Sequence, residues 1–66
     1  MSTWQEHLSD ARSGLRRSIQ EAAVRLISER GMPNVAMSAV AEEAGVSRQT
    51  VYNHYPDLES IVIDYA

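Results

Sequence analysis

The sequence predicts an all-α fold, a bundle of three helices with the start of a fourth. Apolar residues recur at spacings of three and four residues in successive segments, as on one face of a helix. A glycine or proline, which would stop a helix, follows each segment except the last. The chain has 66 residues, 44% of them hydrophobic and 23% charged, and no cysteine. It is therefore long enough for one small domain, which packing rather than disulfides must stabilise.

The first predicted helix runs from about Leu15 to Arg30. Its inward face is expected to consist of Ile19, Ala22, Ala23, Leu26 and Ile27. Gly31 should end the helix because glycine adopts a positive φ without steric cost, and Pro33 prevents its continuation. Residues 1–13 are predicted to form an N-terminal arm, frayed or helical, joined to the helix through Gly14, and residues 14–66 the main domain.

Two short helices should follow. The second is predicted over residues 37–44, ending at Gly45, with Met37, Val40, Ala41 and Ala44 on its apolar face. In the third, the hydroxyl of Ser47 should cap the N-terminus, Val51 should point inward, and Pro56 sets the end.

The predicted fourth helix begins after Asp57, a favourable capping residue. Its apolar positions are Leu58, Ile61, Val62 and Tyr65. About nine residues are too few for an isolated helix, so the whole stripe is expected to pack on the other helices.

Composition excludes several function classes. No apolar stretch approaches the ~20 residues that span a bilayer, and residues 1–12 lack the pattern of a signal peptide, so we expect no membrane partner and a cytoplasmic protein. His7 and His54 lie far apart with no cysteine to complete a metal site. No nucleophile has a plausible base nearby and no glycine-rich phosphate loop is present, so we expect neither an enzyme nor a cofactor.

The segment Val40–Tyr55 has the pattern of a helix-turn-helix, with a short turn at Gly45 between two helices. The net charge is −3, yet residues 44–56 contain no carboxylate. The outward face of the third helix would carry side chains able to bond base edges and phosphates: Arg48, Gln49, Thr50, Tyr52, Asn53 and His54. This face predicts binding to a double-stranded DNA operator with the third helix in the major groove.

The run from Ile19 to Ile61 resembles the DNA-binding domain of the TetR family of bacterial transcriptional repressors. The shared residues are Ile19, Ala22, Ala23, Gly31, Val40, Ala41, the block Ala44-Gly-Val-Ser47, Thr50, Tyr52, His54, Tyr55 and Pro56. The resemblance implies a homeodomain-like fold in which Arg48 and Gln49 contact bases. It also implies mostly backbone contacts for Thr50, Tyr52 and His54, and a groove or backbone contact for Ser38. The complete predicted DNA-binding set is Ser38, Ser47, Arg48, Gln49, Thr50, Tyr52, Asn53 and His54.

Two positions depart from the family pattern. Ala36 stands where threonine or serine is usual, which leaves the second helix without a capping oxygen, and Leu58 stands where lysine usually contacts a phosphate. Family members also carry a larger ligand-binding and dimerising domain. The 66 residues do not include that domain. We therefore expect the full-length protein to be a homodimer formed through it, and the 66-residue chain to be a monomer.

Some alternatives remain open at this level. A helical protein-protein interaction module with the same fold is the second hypothesis, and the acidic net charge favours it slightly. A LacI-like DNA-binding domain is a weaker alternative. Its turn is similar, but that family begins almost directly with the motif, whereas here more than thirty residues precede it. Arg12, Arg16 and Arg17 are equally compatible with a phosphate contact and with a solvated basic cluster.

Overall fold

The computed structural model describes the backbone of residues 3–66 and the side chains of residues 14–66. The elements in chain order are α1 (Thr3–Arg30), a 3-10 turn (Met32–Asn34), α2 (Met37–Ala44), α3 (Arg48–His54) and α4 (Leu58–Tyr65). These residues contain no strand, so the predicted all-α class is confirmed. The predicted bounds of the second, third and fourth helices also agree with the structure.

The first helix is longer than the sequence predicts. It begins at Thr3 rather than near Leu15 and continues through Gly14 without a break. Glycine costs a helix about 1 kcal/mol relative to alanine but does not by itself end one, and Gly14 has no positive φ. The separate arm over residues 1–13 stays a prediction, and the phosphate contact considered for Arg12 concerns a side chain outside residues 14–66.

The core lies where α1 packs on α2 and α4, while α3 packs on α2. Its buried side chains are Ile19, Ala22, Ala23, Leu26, Val40, Ala41, Val51, Tyr55 and Ile61. Four of the five predicted α1 residues are buried, and Ile27 is only half-buried. Tyr55 belongs to the core although its apolar role was not predicted, because it follows α3 rather than repeating within a helical pattern.

The prediction that the whole apolar stripe of α4 is needed for the core is wrong for its last turn. Ile61 is fully buried, and Leu58 packs half-buried against the core. Val62 is half-buried, whereas every residue from Ile63 onward is exposed and Tyr65 is 53% exposed. At the position where the family resemblance leads one to expect lysine, Leu58 therefore adds an apolar contact to the core.

The predicted end of α1 is confirmed at Gly31, which has a φ of 84°. Asn34 completes this end, because its side-chain amide donates to the Arg30 carbonyl oxygen at 2.7 Å. The bond satisfies one of the carbonyl groups that the last turn of a helix leaves without a partner.

Candidate nucleic-acid interface

The turn between α2 and α3 fixes how α3 is presented. Gly45 has the left-handed angles φ 76° and ψ 30°. The Val46 amide donates to the Ala41 carbonyl at 2.9 Å, and the Gly45 amide donates to the Glu42 carbonyl at 3.2 Å. This pair of bonds is a Schellman motif, and the positive φ that it requires favours glycine at position 45. Residues 40–55 therefore form the predicted helix-turn-helix.

The N-terminus of α3 is capped as predicted. The Ser47 hydroxyl oxygen accepts a hydrogen bond from the Thr50 amide at 3.1 Å and lies 2.9 Å from the Thr50 hydroxyl oxygen. Val51 anchors the inward side of the helix and is fully buried. The cap and this anchor together hold the first turn of α3, with Arg48 and Gln49 exposed on it.

The exposed side of α3 carries four of the predicted site residues: Arg48, Gln49, Tyr52 and Asn53. Tyr52 is 49% exposed. The Gln49 side-chain amide donates to the Asn53 side-chain oxygen at 3.0 Å, so the two amides are held one turn apart on the same face. Gln49 keeps its own side-chain oxygen and one N–H for an external partner.

The other predicted site residues are placed differently. Thr50 and His54 are half-buried, Thr50 beside the Ser47 cap and His54 at the end of α3. Ser38 is exposed in the first turn of α2. Ala36 precedes that turn with extended backbone and no side-chain cap, as its residue type predicts.

The charge around α3 suits an anionic partner. Within residues 14–66 the one ion pair joins Arg25 and Glu43, with 2.6 Å between the Arg25 Nη1 and the Glu43 Oε2. Arg48 therefore has no carboxylate within 4.0 Å in this part of the chain, and its five N–H donors stay available. The segment supplies one formal positive charge with no acidic residue in positions 44–56.

Sequence reasoning missed a hydrogen-bonded group behind α3. The Tyr55 hydroxyl donates to the Asp64 Oδ2 at 2.6 Å and accepts from the Gln20 amide at 2.9 Å. Burial raises the pKa of the Tyr55 hydroxyl, and the hydrogen bond to Asp64 raises it further. In the sequence, the only sign of this group is the hydroxyl of a tyrosine that precedes Pro56, and a hydroxyl alone does not identify its hydrogen-bond partners.

Asp57 caps α4 as predicted, because its carboxylate accepts from the Ser60 amide at 2.8 Å. That bond lowers the pKa of the Asp57 carboxyl group. In the side chains described, His, Asp and Glu do not gather into a group of three that could hold a metal ion. The helices of the described residues include none with the length and apolar character to cross a membrane.

Comparison with known proteins adds an independent finding. Residues 19–65 match the family described as bacterial regulatory proteins, tetR family. A segment of 42 residues is 38% identical to HTH-type transcriptional regulators of Staphylococcus aureus strains USA300, NCTC 8325 / PS 47 and COL. It makes up 64% of this chain and 23% of each relative, so the chain spans about a quarter of the length of these curated relatives. No solved structure matches the chain.

Proposed function

The chain belongs to the TetR family of bacterial regulatory proteins, and from that membership we propose that it binds a specific sequence of double-stranded DNA as part of a transcriptional regulator. The observation that carries the proposal is the exposed face of α3. Arg48, Gln49, Tyr52 and Asn53 are all exposed there, and residues 44–56 hold no carboxylate. A helix of this kind fits the major groove of B-DNA, where base edges present donors and acceptors.

Arg48 and Gln49 are proposed to contact base edges. Arg48 has a forked set of donors that matches the two acceptors of guanine, O6 and N7. Gln49 matches adenine, because its oxygen accepts from N6 while its remaining N–H donates to N7. The bond from Gln49 to Asn53 leaves both of these groups in place.

Thr50, Tyr52 and His54 are proposed to contact mostly the phosphate backbone, and Ser38 the groove or the backbone. Ser47 and Asn53 complete the set of residues proposed to contact DNA. Hydroxyl, amide and imidazole groups at the edges of a recognition helix commonly bond phosphate oxygens, which sets the register of the protein on the duplex. Such contacts carry no sequence information, so their loss should weaken binding to all duplexes alike.

We propose further that the regulator acts as a cytoplasmic repressor without enzymatic activity and as a homodimer in its full-length form. The resemblance is to a family of transcriptional repressors, which supports the first statement, and its members combine this domain with a dimerising one, which supports the second. Two-fold dimers bind half-sites whose centres are about 10 base pairs, or a multiple of that, apart. The 66-residue chain by itself is proposed to be a monomer that binds a half-site weakly. Sedimentation at micromolar concentration checks this, and a stable dimer would contradict it.

The acidic net charge of −3 favours a second candidate, a module that binds a protein through the same face of α3. Titration of labelled duplex DNA at two salt concentrations separates the two. Under the DNA hypothesis, log affinity falls with log salt by about 0.9 for each phosphate contact. If a full-length dimer binds no duplex even at low salt, the DNA hypothesis is contradicted and the protein-binding one is left.

A further inference from the structure

The side chains of Gln20, Tyr55 and Asp64 form a closed set of three hydrogen bonds, which we call the Tyr55 junction. The Tyr55 hydroxyl donates to the Asp64 Oδ2 at 2.6 Å. The Gln20 amide donates to the Tyr55 hydroxyl oxygen at 2.9 Å and to the same Asp64 oxygen at 2.8 Å. The three residues come from α1, the position after α3, and α4, so the junction ties three helices together.

The junction matters because α3 has few other attachments. Helix α1 packs on α2 and α4, whereas α3 packs on α2. From Arg48 to Tyr55 only Val51 and Tyr55 are buried. The Tyr55 amide also closes the end of α3 by donating to the Val51 carbonyl at 2.9 Å. The hydroxyl of Tyr55 therefore provides hydrogen bonds that link the end of α3 to α1 and α4.

The hydroxyl of Tyr55 makes hydrogen bonds that an aromatic ring alone could not make. The Tyr55 oxygen acts at once as donor to Asp64 and acceptor from Gln20. Hydrogen bonds to a carboxylate are shorter and stronger than neutral ones, as the 2.6 Å distance illustrates. Phenylalanine would keep the buried ring while Gln20 and Asp64 bonded only to each other.

We propose that the Tyr55 hydroxyl is a positioning group for DNA recognition, holding the end of α3 in a fixed orientation to α1 and α4. The proposal rests on the DNA-binding function proposed above. Base contacts require placement within about 0.5 Å, and side chains that support the contacting residues provide it. Tyr55 does not itself need to touch DNA, since its side chain is 5% exposed and faces the core.

The first test measures amide hydrogen exchange in the 66-residue chain without DNA, comparing wild type with Tyr55→Phe. Removing the hydroxyl should increase exchange about tenfold at the residue 55 amide, which closes α3 on the Val51 carbonyl. The Ile61→Val variant is the control for general destabilisation, because it removes one methylene from a buried α4 side chain. An exchange rate at the residue 55 amide equal to that of wild type would overturn the proposal.

The second test measures dissociation from a selected half-site and from an unrelated duplex. Tyr55→Phe should dissociate about five- to tenfold faster from the selected site, with little change on the unrelated duplex, because positioning affects base contacts. An equal loss on both duplexes that Ile61→Val reproduces would make the junction merely structural and refute the proposal. If wild type binds no duplex, the proposed function fails, whereas the exchange experiment still decides whether the hydroxyl holds α3.

Substitutions of Asp64 provide a matched pair. Asp64→Asn keeps a side-chain oxygen that can accept from both Tyr55 and Gln20. This variant should therefore keep most of the DNA preference and an amide exchange rate close to that of wild type. Asp64→Leu removes the acceptor and should reproduce Tyr55→Phe in both tests. If the leucine variant behaves like wild type, the carboxylate does not serve the junction and the proposal is wrong.

Discussion

A threonine at position 36 should stabilise the protein, because α2 begins without a side-chain cap. Ala36 has φ −97° and ψ 153°, close to the φ −78° and ψ 159° of Ser47, whose hydroxyl caps α3. The Ser47 oxygen accepts from the amide three residues later, so a hydroxyl at position 36 should accept from the Ala39 amide. Ala36 is exposed, and the added atoms have room.

The size of the effect follows from this geometry. An N-cap hydroxyl contributes about 1 kcal/mol. The Ala39 amide already bonds the Ala36 carbonyl at 3.0 Å, so part of that gain is present in the wild type. We expect Ala36→Thr to raise the free energy of unfolding by about 0.5–1 kcal/mol. For a domain of this size that corresponds to a melting temperature about 2–8 °C higher.

Urea and thermal unfolding followed by far-UV circular dichroism measure the change. Ala36→Val is the matched control, since valine has the shape of threonine without the hydroxyl. The threonine variant should have a higher midpoint than both alanine and valine at that position, with an unchanged dependence on urea. Equal midpoints for the threonine and valine variants would refute the capping argument.

Three other outcomes are expected. Ala41→Leu should lower the free energy of unfolding by about 1–3 kcal/mol, because Ala41 is only 2% exposed and α2 packs on α1. Ala44→Leu should lower it less, because Ala44 is half-buried. Equal melting temperatures for both variants and wild type would mean that the helix crossing is misplaced. Arg48→Ala should weaken DNA binding by about 1–3 kcal/mol and relax the preference at one base pair, which a selection from randomised duplexes would measure. An equal loss of affinity for all sequences would identify a phosphate contact instead. Burial and Asp64 raise the pKa of Tyr55 above its ordinary 10.0, so its contribution to stability is complete below about pH 10 and is lost as the pH rises through the folded pKa. Thermal unfolding across that range should therefore show a steeper loss for wild type than for Tyr55→Phe, and parallel curves would contradict the assignment.

Local signals made the helix-turn-helix predictable. Gly45, Ser47 and Asp57 act through their own backbone or the next turn, so residue type and position were enough to place the ends of α2, α3 and α4. The start of α1 was not predictable in this way, because a single glycine weakens a helix without a defined stopping point. The Tyr55 junction depends on residues as far apart as positions 20 and 64, and no local pattern encodes such a contact.

The candidate site was predictable to the extent that exposure follows helical periodicity. Val51 points inward, so Arg48, Gln49, Tyr52 and Asn53 had to lie largely on the other side of α3, and they are exposed. The degree of exposure in the last turn of α4 was not predictable, because Tyr65 continues the apolar spacing but lies beyond the part of α4 that is buried. Periodicity identifies a face, whereas burial also requires an opposing element.

The most direct test of the account is selection of duplexes from a randomised pool, followed by a salt titration of wild type and Arg48→Ala on the selected site. Wild type should enrich a defined sequence, and its affinity for that sequence should fall as salt rises. Arg48→Ala should lose preference at one base pair and keep the preferences at the remaining ones. Failure of wild type to enrich any sequence or bind any duplex at low salt would contradict the claim that α3 is a DNA-recognition helix.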